Sequence, residues 1–486
     1  MEEEKLKKLN EITVENGSPY EEISYEKTHY ASDIVTDFAK LENKEVSVAG
    51  RVMNLRKQGG VSFADLVDDS GKIQIYIKSD EFKDYVKLIE SGFVERGDII
   101  GVSGVVTKTK RGEISVLAKH IKLLSKSLNM LPEKYHGLKD TEIAYRKRYL
   151  DLIMNPASKD TFLKRSKILE HVRRFLQERS FMEVETPILQ QVYGGAEARP
   201  FITHHNELDM KMYLRISPEL FLKRLIVGGF ERVFEIGKNF RNEGVDTKHN
   251  PEFTNIEIYW AYKSAKDVMK LTEEIISSTC ETVLGKTKVE YEKAVIDFSM
   301  PFARMTMADA VLKYGKVDVN KISFEEMKEV AKTHNIKVEK HMGKGKVISL
   351  FFEEFAEKNL IQPTFITDYP VEISPLAKRK KDDKEITDRF ECFAYGREIA
   401  NGFSELNDPI DQKKRFEEQT EKRKLGDEEA HMMDLNFVDA LEYGMPPTGG
   451  VGIGLDRFIM FLTNSSAIKD VILFPTLRKE ENEKEK

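Results

Sequence analysis

The segment from residue 232 to residue 260 constrains the fold of this chain more than any other segment. Apolar and polar residues alternate in two runs, 232–241 and 253–260, on either side of a loop rich in charge. A period of two residues predicts an antiparallel hairpin with one apolar and one polar face. The polar face carries arginine, acids, asparagine and aromatic residues instead of the lysine, threonine and serine of a solvated face. We interpret the hairpin as binding an anionic ligand with a ring, such as a nucleotide; an ordinary surface hairpin is the alternative.

A glycine-rich strand is predicted close to the C-terminus, in GGVGIGLDRFIMFL (449–462). Gly450, Gly452 and Gly454 fall on one face of this strand. A face without side chains lets a ligand or another backbone approach closely. The pattern is not GxGxxG and no βαβ unit surrounds it, which excludes a Rossmann dinucleotide site.

Together, these two segments resemble motifs 2 and 3 of the class II aminoacyl-tRNA synthetases, and FMEVETPIL (181–189) resembles motif 1. The resemblance implies an α+β fold, in which an N-terminal OB-type β-barrel precedes an antiparallel sheet with flanking helices. It extends over essentially the whole chain from about residue 25. Four segments resemble the lysine enzymes in particular: 136–153, 217–244, 369–378 and 397–409.

Four regions follow one another along the chain. Residues 1–40 are predicted to form a polar, helical lead-in, and residues 127–158 a linker. Between them, residues 41–126 contain five short alternating runs separated by glycines, which favours an OB-type barrel that binds the anticodon, with an SH3-like barrel as the alternative. The catalytic domain is assigned to residues 159–480, begins with an amphipathic helix at 159–180, and contains helical inserts at 264–284 and 323–359. The charged tail, 478–486, is predicted to be solvated.

Composition narrows the class of protein. A chain of 486 residues is long enough for two or more domains. The net charge of −6 means that an RNA partner would have to be met by local basic surface. Two cysteines, Cys280 and Cys392, cannot form a CxxC zinc site and argue against a disulfide scaffold. No apolar run reaches the length of a membrane span and the first residues lack an apolar leader region, which favours a cytoplasmic location.

Candidate residues for ATP lie in motifs 2 and 3. In activation, a carboxylate attacks the α-phosphate, so protein groups must align the reactants and neutralise phosphate charge. Arg241 suits the α-phosphate because a planar guanidinium binds phosphate through two donors. The resemblance implies that Arg457 contacts the γ-phosphate and one face of adenine, and that Phe253 stacks on the other face. It also implies that Glu243 and His249 contact the base and the distal phosphates.

Two acids are candidates for Mg²⁺. Glu391 and Glu398 flank a predicted turn at 395–397, so their carboxylates can approach each other. Adjacent carboxylates repel unless a cation or a proton lies between them. Mg²⁺ bound by one or two carboxylates and phosphate oxygens fits this arrangement. The alternative is a pair of exposed strand acids with basic partners.

The resemblance implies a pocket for L-lysine that is formed by Glu219, Tyr259, Asn401, Phe403 and Glu405. Glu219 begins a predicted helix, so it has a second interpretation as a complement to the helix dipole. A buried carboxylate that lacks its cation is unfavourable, and such a pocket would reject neutral isosteres of lysine.

The resemblance also assigns partners. On the barrel, Phe63 is expected to stack on an anticodon base, Arg56 and Gln74 to hydrogen-bond its edge, and Glu113 to contact a neighbouring base. From the residues alone, a place in the barrel core is the favoured interpretation of Phe63, and the resemblance reverses that preference. The expected reaction is activation of L-lysine with ATP and transfer of the lysyl group to the 3′ end of tRNA(Lys), by a homodimer that contacts its partner through motif 1.

Three other functions remain open at this point. A synthetase for aspartate or asparagine would share the barrel and the core, but Glu219 and Glu405 would repel an acidic substrate. A paralogue that modifies a protein with lysine would lack the barrel. A catalytically silent RNA-binding protein would not need the arginines and acids assigned to ATP and Mg²⁺.

Overall fold

The computed structural model describes residues 3–132, 140–340, 342–424 and 432–479. The chain divides into two units between residues 139 and 140. Parts of four predicted regions lie outside the described residues: 1–2 of the lead-in, 133–139 of the linker, 341 and 425–431 of the catalytic domain, and 480–486 of the tail.

The first unit is a closed five-stranded barrel preceded by three helices. Its strands follow one another around the barrel in the order β1-β2-β3-β5-β4. In β2, residues 62, 64 and 66 are buried and the residues between them are partly exposed, because alternate side chains point into and out of the barrel. The elements are α1 (Glu3–Asn16), α2 (Ala31–Thr36), α3 (Phe38–Leu41), β1 (Glu45–Gln58), β2 (Val61–Val67), β3 (Lys72–Lys78), β4 (Ile99–Lys108) and β5 (Ile114–Ser125).

The second unit is an eight-stranded sheet with helices packed against it. Its helices are α4 (Thr141–Arg146), α5 (Arg148–Met154), α6 (Pro156–Gln177), α7 (Glu219–Val227), α8 (Ala265–Leu284), α9 (Met307–Gly315), α10 (Phe324–Thr333), α11 (Lys344–Phe355), α12 (Pro409–Lys424), α13 (Leu435–Glu442) and α14 (Leu455–Leu462). Its strands are β6 (Met182–Glu183), β7 (Leu189–Gln190), β8 (Ile202–His205), β9 (Met210–Leu214), β10 (Arg232–Phe240), β11 (Glu252–Ala261), β12 (Lys288–Tyr291), β13 (Ala294–Asp297), β14 (Ala303–Thr306), β15 (Thr364–Thr367), β16 (Arg389–Ala394), β17 (Arg397–Ser404) and β18 (Thr448–Ile453).

The large sheet brings the three informative motifs together. Its strand order is β14-β15-β16-β17-β18-β11-β10-β6, and its four central strands, β17, β18, β11 and β10, pair antiparallel. Glu257 of the hairpin pairs with Gly452 of the glycine strand, and Gly452 pairs on its other side with Asn401 of β17. The hairpin and the glycine strand are confirmed, and they lie side by side at the centre of the sheet.

The apolar face of the hairpin packs into the main core. Phe234, Ile256 and Ile258 are fully buried there, together with residues of α8 and α14. The opposite, polar face is buried too: Glu257 is 9% exposed and Asn239 is inaccessible. A sheet face that buries this many polar groups requires partners for them, from the protein or from a ligand.

The predicted linker at 127–158 contains structure of the second unit. Helices α4 and α5 lie within it, and α6 begins at Pro156, three residues before the predicted helix start. Buried Arg148 donates to Asp151 at 2.6 Å and to the carbonyl oxygens of Lys469, Ile472 and Leu473. These bonds tie residues from 140 onward to the C-terminal part of the chain. Within the described ranges, no helix is long and apolar enough to cross a membrane.

Candidate active site

A cavity of about 340 Å³ opens on the polar face of the large sheet. Gly450 and Gly452 lie against it without side chains, and a Cβ atom on Gly452 would lie 2.8 Å from Oε1 of Glu257. Glycine is therefore needed there because the acid occupies that space. All residues predicted for ATP, lysine and Mg²⁺ line this one cavity: Glu219, Arg241, Glu243, His249, Phe253, Tyr259, Glu391, Glu398, Asn401, Phe403, Glu405 and Arg457.

Arg241 presents an unsatisfied cation to the cavity. It follows β10 directly, and its guanidinium carbon lies 5.1 Å from the ring centroid of Phe253 on the paired strand. Its Nε is buried and has no hydrogen-bond partner within the described chain. Burial lowers the pKa of Arg241, but a guanidinium remains charged in proteins. A desolvated arginine with a free donor is suited to an anionic ligand.

Arg457 lies across the cavity at the start of α14. Its Nη1 donates to the carbonyl oxygen of Glu398 at 3.0 Å, and its Nη2 lies 3.3 Å from Nε2 of His249. Neighbouring Asp456 is fixed by Arg165 and by the backbone N–H of Thr254. The helix start that carries Arg457 is thus anchored to β11 and α6. Glu243 and His249 are in the exposed hairpin loop, at the cavity mouth.

The two candidate metal ligands are on adjacent strands. Tyr395 and Gly396 both have positive φ (51° and 61°), which forms the tight turn predicted between β16 and β17. Burial and the nearby Glu398 raise the pKa of Glu391 to about 7, although Arg389 lowers it. Arg389 donates to Glu391 at 2.6 Å, so the alternative of an acid with a basic partner holds in part.

A charge on Glu391 is therefore costly next to Glu398, and a cation between the two would relieve that cost. In the described parts of the chain, no three histidine, cysteine, aspartate or glutamate side chains cluster as metal ligands. A metal here would complete its coordination with oxygens of the substrate and water, as Mg²⁺ commonly does.

The other end of the cavity contains buried acids. Glu405, Glu219 and Glu257 are 1%, 6% and 9% exposed. Burial raises the pKa of Glu257 to about 8, with a further contribution from the charge of Glu219. The hydroxyl of Tyr259 donates to Glu257 at 3.3 Å.

A lysine of the protein itself contacts two of these acids. Nζ of Lys223 lies 2.6 Å from Oε1 of Glu219 and 2.5 Å from Oε2 of Glu405. Glu219 therefore does more than complement the dipole of α7. Oε2 of Glu405 is therefore in ion-pair contact with Lys223, whereas its Oε1 has no hydrogen-bond partner within the described chain. Three carboxyl groups thus face one internal ammonium group.

Asn401 and Phe403 lie on the same face of β17 as these acids. The side-chain oxygen of Asn401 accepts from Nε of Arg389 at 3.1 Å, which links this end of the cavity to Glu391. The ring of Phe403 lies 5.4 Å from Nζ of Lys223.

The four predicted anticodon residues form one surface of the barrel unit. Phe63 points out of the barrel and stacks on Tyr76, with ring centroids 5.1 Å apart and planes 7° from parallel. Arg56 pairs in register with Phe63 on β1. Gln74 is 9% exposed and accepts from the hydroxyl of Ser115, whose hydroxyl also contacts the carbonyl of Glu113. Phe63 is therefore not a core residue.

Comparison with known families agrees with this geometry. Residues 140–478 match the model of the class II tRNA synthetases (D, K and N), and residues 46–124 match the OB-fold nucleic acid binding domain. The chain is 52% identical over 484 residues to the lysine–tRNA ligase of Clostridium tetani, which covers 99% of this chain and 96% of that protein. It is 55% identical to the lysine–tRNA ligase of Thermoanaerobacter pseudethanolicus, with 98% and 95% covered. The chain belongs to the lysine–tRNA ligase family of class II tRNA synthetases.

The family fold predicted from the motifs is confirmed, both for the OB-fold barrel and for the class II synthetase domain. The sequence reasoning nevertheless missed several residues of the synthetase cavity. The sequence could have indicated Glu257, because this acid shares a strand face with Tyr259, two residues away. Lys223 lies one helical turn after Glu219, but nothing in its spacing distinguishes it from a surface ion pair. Arg389 and the neighbouring Tyr369, which donates to Glu391 at 2.8 Å, had no separate signal.

Proposed function

We propose that this protein activates L-lysine with ATP to lysyl-adenylate and transfers the lysyl group to the 3′ end of tRNA(Lys). The excess of buried acid at the end of the cavity carries this proposal. Glu219 and Glu405 share the single ammonium of Lys223, Glu257 accepts from the neutral hydroxyl of Tyr259, and Oε1 of Glu405 lacks a donor within the described chain. An ammonium group at the end of a four-carbon chain supplies the missing cation, whereas an aspartate side chain would add repulsion.

The arginines of the cavity support the chemistry of activation. Arg241 holds the α-phosphate, and Arg457 holds the distal phosphates, so that the lysine carboxylate can attack the α-phosphorus as pyrophosphate leaves. Phe253 offers a ring face to adenine, and Glu243 and His249 border the same space. No covalent bond to the protein is needed in this step.

Glu391 and Glu398 fit Mg²⁺, which we propose as the cofactor. Their residual repulsion and the partial burial of Glu391 favour a bound cation. The ion supplies charge neutralisation on the phosphates of ATP.

We propose a homodimer formed through motif 1. Met182, Ile188 and Leu189 are roughly half exposed in this motif, at 51%, 45% and 47%. Apolar side chains grouped on a surface are typical of an interface. A monomer in light scattering at working concentration would contradict this assignment. The cytoplasmic location stays a prediction.

The barrel is proposed to bind the anticodon, and Phe63 tests this. Replacing Phe63 with alanine should raise KM for tRNA(Lys) about tenfold, since one stacked base is worth ~1–3 kcal/mol. Lysine-dependent pyrophosphate exchange without tRNA should be unchanged, because Phe63 is in the barrel unit. Tyr30→Ala, which removes another exposed aromatic of that unit, is the control. Equal charging by Phe63→Ala and the wild type would exclude the anticodon role.

The proposed activity is tested by amino-acid-dependent exchange of pyrophosphate into ATP, without tRNA, across all twenty amino acids. Exchange with lysine alone is expected. Exchange with aspartate or asparagine would keep the fold and overturn the assignment of the pocket. Exchange with no amino acid would favour a binding protein that has lost catalysis.

A further inference from the structure

A fully buried lysine lies behind the amino-acid end of the cavity. The side chain of Lys223 is 0% exposed, and its Nζ contacts both Glu219 and Glu405. The rings of Phe403 and Phe437 lie 5.4 Å and 5.8 Å from this nitrogen. Its surroundings are otherwise the apolar side chains of α7 and α13.

Such a lysine is costly unless a carboxylate neutralises it. A buried ammonium needs a partner of opposite charge, and one carboxylate is sufficient for that. Lys223 has two, and Glu257 is close enough to Glu405 to raise its pKa. An ion pair that served the fold alone would not need the second and third acids. The arrangement instead places one fixed cation among acids that border a cavity.

We propose that Lys223 is a specificity-determining residue of the amino-acid subsite: its ammonium holds Glu219 and Glu405 in position for the ammonium of the substrate. This inference rests on the proposed function, because it takes lysine as the substrate. Lys223 would act through these two carboxylates, so it is a positioning residue and does not contact the reacting atoms.

The charged groups around Glu405 determine whether the loss of Lys223 would raise or lower the pKa of Glu405. Burial raises the pKa of Glu405 well above its usual range, the charge of Lys223 lowers it, and Glu219 and Glu257 raise it. Without Lys223, the pKa of Glu405 would rise further, and this carboxyl would attract an ammonium less. The groups that face this cluster are Glu219 on α7, Glu257 and Tyr259 on β11, Glu405 after β17, and Lys378 and Arg241 at its edges. From α13 the contact is the ring of Phe437, which carries no charge.

The test compares Lys223→Met with the wild type in pyrophosphate exchange. At pH 7 the variant should show a roughly 10- to 100-fold higher KM for lysine, less than the loss of a direct partner of a buried charge would cause, because Lys223 acts through the two carboxylates. KM for ATP should stay within about twofold, since Lys223 does not line the ATP end. The difference in KM for lysine should shrink as pH rises, because the higher pKa of Glu405 without Lys223 makes the ionisation of this carboxyl more dependent on pH. Lys223→Arg, which keeps the charge, should restore part of the affinity.

A matched control is present in the barrel unit. Lys126 is also 0% exposed and contacts buried Asp98 at 2.9 Å. Lys126→Met removes the same kind of ion pair in the unit that does not contain the amino-acid subsite, so it should lower thermal stability and leave KM for lysine unchanged. If Lys223→Met does not fold, as judged by circular dichroism, Lys223→Gln takes its place in the test. The same changes in KM are expected of it, because glutamine removes the charge and keeps a donor.

The outcomes separate this inference from the proposed function. Wild-type protein that exchanges only with another amino acid would overturn both. Lysine-dependent exchange in the wild type, with an unchanged KM for lysine in the variant, would overturn the inference alone. A lower KM for lysine in the variant would do the same, because Lys223 would then compete with the substrate. Equal rises in KM for lysine and for ATP would reduce Lys223 to a structural role.

Discussion

Replacing Arg241 with methionine is expected to lower kcat/KM for lysine-dependent pyrophosphate exchange by about a thousandfold, or ~4 kcal/mol. The Nε of Arg241 is buried and has no partner in the described chain, and the guanidinium carbon lies 5.1 Å from the ring centroid of Phe253. The arginine is thus in position before the substrate binds. Its removal should therefore mainly destabilise the transition state, in which charge develops on the phosphate. The fall should appear mainly in kcat, measured under saturating lysine and ATP.

Two further variants sharpen this result. Arg241→Lys keeps the charge but loses the planar fork, so it should recover only part of the lost rate. Arg232→Met removes an arginine at the other end of the same strand, where it lies over Trp260, and should leave exchange nearly unchanged. Wild-type kcat in Arg241→Met, with only a higher KM for ATP, would show that Arg241 binds ground state and transition state equally.

Local pattern was sufficient to predict the elements that bear the site. The hairpin shows alternation with a period of two residues, and the glycine strand has a face without side chains. The turn at 395–397 contains a tyrosine–glycine pair, and both residues have positive φ in the structure. Their positions relative to one another depend on which strands pair, which spacing does not encode. The resemblance supplied that information, and the register of Glu257, Gly452 and Asn401 shows why the motifs converge.

The burial of side chains was the property that the sequence predicted least well. We interpreted the polar hairpin face as a ligand-binding face, but its residue pattern did not show that Glu257 and Asn239 are buried within the protein itself. The role of Lys223 could not be predicted for the same reason: an i, i+4 pair with Glu219 is typical of a helix surface. The third partner, Glu405, lies 182 residues after Lys223 in the chain. Only its contact with Lys223 makes the three residues a buried cluster.

Replacing Glu405 with glutamine is expected to raise KM for lysine by about 10²–10³-fold, because one partner of a buried charge pair typically contributes ~2–5 kcal/mol. Glutamine has nearly the same shape, so the change removes the negative charge and little packing. Oε1 of Glu405 has no donor in the described chain, so the loss of the carboxylate charge should weaken binding of the substrate ammonium. KM for ATP should be nearly unchanged, and raising the pH should not restore lysine affinity, because glutamine cannot ionise.

Stability must be measured beside binding, since Glu405→Gln also removes one of the two acids that contact Lys223. Glu219 still neutralises that lysine, so the variant should fold with a lowered melting temperature. Glu281→Gln, an exposed acid on α8, is the control for the substitution itself. A loss of lysine affinity that does not depend on pH in Glu405→Gln, together with a loss that does depend on pH in Lys223→Met, would separate the two roles. Glu405 would then receive the substrate ammonium, and Lys223 would favour the charged form of Glu405. An unchanged KM for lysine in Glu405→Gln would instead assign recognition to Glu219 and Glu257, which share the same end of the cavity.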